Sequence, residues 1–203
     1  EQMVEELAAK VAETPNDLEA VVLLARTYSR IGRFADAVPA YRQVLALEPN
    51  AANFSGYGES VVFAAEGKVT KEAHDSFVKA LSLDRSEPRA RFYLGLEQAD
   101  KSQTGNAVAV WLELIATAPA DAPWLEMVRE QMAGFAKDEN VTVTTVIPKH
   151  ALDFVPPEEL ALARVQASAP PTMVAKRPGP PGQLSPEAAK QVEEMVTGLA
   201  ARL

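Results

Sequence analysis

Residues 18–51 read LEAVVLLARTYSRIGRFADAVPAYRQVLALEPNA, and the spacing within these 34 residues decides the fold. Leu24, Ala25 and Tyr28 recur at helical intervals on one face of a first segment, and Ala37, Tyr41 and Val44 do the same on a second. Ile31-Gly32-Arg33-Phe34 between them is short enough for a tight turn, so the stretch predicts two helices folded back on each other. Small side chains (Ala25, Ala37) stand where two helices must touch, larger ones (Leu24, Tyr28, Tyr41) fill the space beside them, and Pro49 ends the second helix. Pro39 lies inside that second helix, where it removes a backbone donor and is expected to bend it.

The pattern extends in both directions. Residues 1–13, EQMVEELAAKVAE, carry Met3, Val4, Leu7, Ala8 and Val11 at helical spacing, and Pro15 stands after them as Pro49 stands after the second helix. They read as the closing half of a preceding unit, with Asn16 or Asp17 capping the next helix. A second unit, 51–87, places Tyr57-Gly58 where Leu24-Ala25 stood and repeats the closing helix with Ala73, Phe77, Ala80 and Leu81. Its turn is about three residues longer, with Thr70 as the expected cap. A third unit, 88–121, aligns without gaps through Leu94-Gly95, Ala107, Trp111, Leu114 and Pro119. The segment 122–137 is one further amphipathic helix, suited to cover the last apolar face. Gly56-Tyr57-Gly58 is no phosphate loop, because no strand precedes it and no Gly-Lys-Ser/Thr follows; its glycines read as close helix contacts.

A helical hairpin recurring at this period is the mark of the tetratricopeptide (TPR) repeat. The expected fold is therefore all-α: a right-handed TPR superhelix of helical hairpins over 1–137, followed by an extended, partly irregular C-terminal segment. Within 138–184 a strand-like run, Val141–Ile147, precedes a short helix near 157–166 and a Pro/Gly-rich linker. Ser185-Pro186 then opens an amphipathic helix over 185–203. Its end, EEMVTGLAARL, sets Met195, Val196, Leu199 and Leu203 on the register of Met3, Val4, Leu7 and Val11, so the chain closes on a copy of its opening helix. That copy could occupy a repeat surface in its own or a neighbouring molecule, a route to self-association through 185–203.

Composition narrows the function. Acidic residues outnumber basic ones 28 to 20, for a net charge of −8. This argues against a nucleic-acid backbone as partner and suits a basic or amphipathic polypeptide. With no cysteine there is no disulfide, thiolate metal site or cysteine nucleophile. His74 and His150 are the only histidines, and neither has catalytic or metal-ligand company in sequence. No catalytic residue, metal ligand or cofactor is expected, and the chain reads as a non-enzyme. Haem could be held directly only through His150, and a single histidine on such a segment is ordinarily just exposed. No apolar run approaches the roughly 20 residues of a membrane span. Glu1 already falls within a helical pattern without an initiator Met, so the chain is expected to be part of a longer protein, with any anchor upstream.

The run MVEELAAKVAETPNDLEAVVLLARTYSRIGRFADAVPAYRQVLALEPN, the long second turn, and DRSEPRARFYLGL followed by NAVAVWLELIATAPADAPW together resemble the CcmI/CycH family of bacterial cytochrome c maturation, over residues 1 to about 137. The resemblance implies a membrane-anchored protein with its TPR domain in the periplasm. It further implies a chaperone that holds apocytochrome c, notably its C-terminal helix, for the haem-ligation complex. The tail PGPPGQLSPEAAKQVEEMVTGLAARL looks like the family's lead-in placed after the repeats, a departure that implies a second array beyond residue 203 or an altered C-terminal domain.

In a TPR array the first helix of each repeat lines a concave groove. Helical spacing assigns Glu19, Val22, Arg26 and Ser29 to that groove from the first repeat, Ser55, Glu59 and Val62 from the second, and Arg89, Phe92, Leu96 and Ala99 from the third. An apolar strip flanked by Arg26 and Arg89 suits an amphipathic helix bearing acidic groups or a terminal carboxylate. Two other readings compete: a generic TPR scaffold for another complex, and capture of acidic chaperone tails. For the latter the equivalent positions are Val22, Arg26, Gly56, Arg89 and Tyr93, of which only the arginines could serve.

Overall fold

A computed structural model describes residues 2–101, 103–138, 155 and 157–167. It contains α1 (Gln2–Glu13), α2 (Leu18–Arg30), α3 (Phe34–Leu47), α4 (Ala51–Ala64), α5 (Lys71–Leu83), α6 (Pro88–Asp100), α7 (Thr104–Thr117), α8 (Leu125–Asp138) and α9 (Pro157–Ala167). Val141–Ile147, His150, the Pro/Gly-rich linker and the helix expected over 185–203 lie outside the described residues. None of the described helices is long and apolar enough to cross a membrane.

Local chemistry starts the helices where the spacing places them. Asp17 accepts a hydrogen bond from the Ala20 amide at 3.1 Å, Asn50 from Asn53 at 2.8 Å and Thr70 from Ala73 at 3.3 Å. Each satisfies one of the amides left without a partner in a helix's first turn. Gly32 (φ 76°) and Gly67 (φ 87°) adopt the left-handed backbone that reverses the chain between paired helices. The longer second turn also carries Glu66 at φ 57°. Pro39 is exposed, and α3 continues through it to Leu47.

Successive helices pack as antiparallel neighbours, α2 on α3, α4 on α5 and α6 on α7, and α3 and α5 each hand on to the next hairpin. What sets these approaches is an aromatic ring pressed against a residue without a Cβ. A Cβ at Gly58 would stand 2.6 Å from the Phe77 ring, and one at Gly95 would stand 2.5 Å from Trp111 Nε1. At the hairpin boundary, Gly56 lies under Tyr41, where a Cβ would meet the ring at 2.7 Å. The rings then touch one another. Phe77 stacks on Tyr93 (centroids 5.1 Å), Phe92 lies against Trp111 (6.0 Å), and Trp111 meets Phe135 of α8 edge-on (5.8 Å). Trp111 also donates its indole N–H to the Phe92 carbonyl at 3.1 Å. A continuous aromatic path therefore ties α5, α6, α7 and α8.

The short helix α9 packs along α5. Leu160, Ala163 and Ala167, with Val155 ahead of them, are buried in the same apolar cluster as Val78, Ala109 and Val110. It is thus part of the packed array.

A pair of alanine substitutions tests the ring-on-glycine constraint. Gly95→Ala drives a methyl into a tryptophan that is fully buried and hydrogen-bonded, so overpacking costs about 1–3 kcal/mol despite better helix propensity. Gly105→Ala, with nothing within 4 Å, is neutral or gains up to about 1 kcal/mol. Urea unfolding of both variants checks this; equal effects would show that the close approach is not under tension.

Candidate functional site

The first helices of the three repeats lie side by side, and polar contacts fix their spacing. The Ser29 and Ser60 hydroxyls meet at 3.1 Å across α2 and α4. Across α4 and α6, Glu59 pairs with Arg89 Nε at 3.3 Å and accepts from the Tyr93 hydroxyl at 3.3 Å. Burial raises the Tyr93 hydroxyl well above its ordinary pKa, and the Glu59 charge raises it further, so it remains a donor. Burial likewise raises Tyr41, against the pull of Arg89, Ser29 and Arg26.

On this face a cleft of about 360 Å³ opens between α4, α6 and α8. Phe63, Pro88, Phe92, Tyr93, Trp124 and Met127 supply its apolar wall, and Glu59, Glu87 and Arg89 its polar groups. Room for one or two large apolar side chains beside a guanidinium is what a helix-in-groove partner uses. Large apolar side chains are open to solvent on α2, α4 and α8: Leu23 is 54% exposed, Phe63 46% and Met127 48%. Phe63 is held by stacking on Phe34 at 4.6 Å.

Of the residues assigned by spacing, Glu19 and Arg26 are exposed, and Val22, Ser29, Glu59, Arg89, Phe92 and Leu96 are part-exposed. The structure brings Glu59, Arg89 and Phe92 together in the cleft. Ser55, Val62 and Ala99 are instead buried, and a docked chain could not reach them. Val62 belongs to the main apolar core, and Ala99 packs with Ala107 and Trp111. Ser55 donates to the Glu87 carboxylate at 2.6 Å, and Glu87 in turn accepts from the Ala90 amide at 2.6 Å as the N-cap of α6. Burial pushes the Glu87 carboxyl above its usual range, against these two donors.

Spacing alone missed Leu23, Phe63, Trp124 and Met127. Leu23 and Phe63 lie one position beyond residues taken as groove-facing. Trp124 and Met127 belong to the segment read as a cover for the last repeat, whose outer side continues the line of first helices. The signal was present: two large apolar residues three apart at the start of a helix, of which Trp124 packs with Val128, Met132 and Phe135 on the Trp111 cluster while Met127 stays outside it.

A larger cleft, about 530 Å³, lies elsewhere, between α3, α4 and α5. Four of its charges are paired, Arg42 with Glu72 at 2.8 Å (Arg42 also donating to the Tyr57 hydroxyl at 2.8 Å) and Lys71 with Asp75 at 2.8 Å, while Lys79 stands over the Phe54 ring. The Tyr57 hydroxyl also donates to Glu72, and burial with this bond pushes its pKa up to about 12. This cleft offers only Phe54 and Tyr57 as aromatic wall, where the α4–α6–α8 cleft offers Phe63, Phe92, Tyr93 and Trp124. Among the described residues one group could gather around a metal, His74, Asp75 and Glu159, with ligand atoms within 4.8 Å of one another; Lys71 occupies Asp75. No catalytic constellation occurs among the described residues.

Fold and groove together define the class, a TPR-type protein–protein interaction scaffold. Two solved structures of MamA share this all-α hairpin arrangement, both at a TM-score of 0.54. One, at 17% identity, covers 81% of this chain and 84% of MamA; the other, at 16%, covers 86% and 87%. No protein-family model matches the chain. Its sequence is 42% identical over 127 residues to the cytochrome c-type biogenesis protein CycH of Rhizobium meliloti, and 35% identical over 133 residues to CycH of Bradyrhizobium diazoefficiens. These stretches take in 62% and 65% of this chain but 33% and 36% of the relatives, so the chain spans about a third of the length of the curated relatives it matches. The protein is a TPR-like chain related to the CycH/CcmI cytochrome c-biogenesis family.

The division between groove and core is open to test. Ser55→Ala leaves a buried carboxyl short of one donor and lowers stability by about 1–3 kcal/mol in urea unfolding. Phe63→Ala, at an exposed ring, costs less than Ser55→Ala in the same measurement.

Proposed function

We propose that this domain is a peptide-binding chaperone of cytochrome c biogenesis, holding the C-terminal helix of apocytochrome c in its concave groove for a haem-ligation complex. The observation that carries the reading is the α4–α6–α8 cleft, where an open aromatic wall adjoins a guanidinium on the face that the array leaves free. Kinship with CycH supplies the client class, because each CycH relative is named for cytochrome c-type biogenesis. In the same reading the domain is periplasmic and belongs to a membrane-anchored protein.

The chemistry of capture follows from the lining. An amphipathic client helix would set large apolar side chains against Phe63, Phe92, Trp124 and Met127, and an acidic group or terminal carboxylate near Arg89 and Arg26. Arg89 already pairs with Glu59, so the client's carboxylate replaces or shares that partner, and the Tyr93 hydroxyl keeps Glu59 bonded. Such contacts are strongest where water is excluded, which the aromatic wall accomplishes on one side.

Binding of a peptide with the sequence of an apocytochrome c C-terminal helix, followed by tryptophan fluorescence and calorimetry, tests this. Trp111 is fully buried, so a change in tryptophan emission on binding reports Trp124. Phe63→Ala and Phe92→Ala are each expected to weaken binding by about tenfold or more, and Arg26→Ala by less. A scrambled peptide of equal charge that binds as well as the client sequence would remove the cytochrome reading and leave a generic scaffold.

A further inference from the structure

Outside the α4–α6–α8 cleft, one histidine joins three helices. His74 lies in α5, and each of its ring nitrogens faces a carboxylate: Nδ1 stands 2.7 Å from Glu97 of α6, and Nε2 stands 3.2 Å from Glu159 of α9. A neutral imidazole carries one N–H and can donate to only one of them. Its other nitrogen would then present a lone pair to a carboxylate oxygen, an acceptor against an acceptor. Only the imidazolium donates to both.

The remaining charges around this point do not relieve the conflict. Glu97 is buried and also receives Lys101 Nζ at 2.8 Å, so it has a cation whatever the state of the histidine. On α5 itself, Lys71 bonds to Asp75 at 2.8 Å and feels the Glu159 charge without a hydrogen bond to it. Glu159 has no other hydrogen-bond donor or ion-pair partner among the described residues. A neutral ring that keeps its shorter bond, to Glu97, leaves Glu159 as the carboxylate without a partner. Besides this polar link, α9 is held by the burial of Leu160, Ala163 and Ala167, with Val155 ahead of them, while Leu162 and Val165 stay 60% and 70% exposed.

We infer that protonated His74 is a latch fastening α9 to α5 and α6, and that loss of this proton loosens α9 so that it opens from the array more often. Release would uncover Val78, Ala109 and Val110, an apolar strip of the second and third repeats. The sign of the pH dependence follows from the partners. The hydrogen bond to Glu97 is the largest influence on His74 and, against the opposing effect of burial, holds its pKa above the ordinary imidazole value. Burial works to raise Glu97, but the bonds from His74 and Lys101 outweigh it and keep that carboxyl below its usual range. A raised histidine stabilises below its unfolded pKa and loses that contribution as pH rises through the folded value; a lowered glutamate loses its contribution as pH falls. The latch is therefore closed from the Glu97 pKa at the acid end up to the raised His74 pKa, and opens above it.

The test is amide hydrogen exchange of residues 157–167 in the full chain, corrected for the intrinsic pH dependence of exchange, alongside an NMR titration of the His74 ring. Protection of α9 is expected to fall severalfold as pH rises through the His74 midpoint, while α2 to α4 stay protected. Glu159→Gln and His74→Gln should each abolish the step; Glu159, on the outer helix, is the substitution the fold tolerates should His74→Gln fail to fold. Protection that stays flat while His74 titrates, or a step that survives in Glu159→Gln, overturns the inference. So does a step that disappears on adding a chelator, since a bound cation and not a proton would then join His74 to Glu159.

Discussion

The close seating of aromatic rings on positions that lack a Cβ is the constraint on which the rest of this structure depends. Tyr41 on Gly56, Phe77 on Gly58 and Trp111 on Gly95 bring helix axes nearer than any side chain on the facing helix would permit. Dispersion falls steeply with separation, so a ring flat against backbone makes contacts that a looser pair would forfeit. Each hairpin is too small to bury its own apolar face, and the array becomes stable only when neighbours cover one another. The aromatic path from Phe77 through Tyr93, Phe92 and Trp111 to Phe135 carries that cover from one hairpin to the next.

The groove is a by-product of the same packing. Once second-helix rings are drawn inward, first helices are aligned edge to edge and their outer sides form one surface. Phe92 shows the coupling: its ring packs against Trp111 and Tyr93 on one side and lines the cleft on the other. Glu59 acts similarly for polar groups, joining α4 to α6 through Arg89 and Tyr93 while standing in the cleft wall. A binding surface made of residues that also hold the array together is rigid, and rigidity lowers the ordering cost of binding.

The two sides of the array differ in chemistry. The groove side offers exposed aromatics and a guanidinium. The other side is dominated by internal ion pairs such as Arg42–Glu72 and Lys71–Asp75, and by the histidine between Glu97 and Glu159.

The repeats, their helix boundaries and several caps were legible in the sequence, because helical period, turn glycines and capping side chains act over a few residues. Glycines 56 and 58 could even be read there as helix contacts, although which rings they meet could not. The tertiary structure alone decided that Ser55, Val62 and Ala99 turn inward while Leu23, Phe63, Trp124 and Met127 remain open. The reason is geometric: ideal helical spacing places a residue on a face only to within one position, and the neighbouring hairpin decides which side of that face is covered. Glu87 reaching back to Ser55, and His74 drawing together residues 23 and 85 positions away, depend on contacts between separate helices. Local pattern determines which helices form; how closely they approach determines which side chains are left to act.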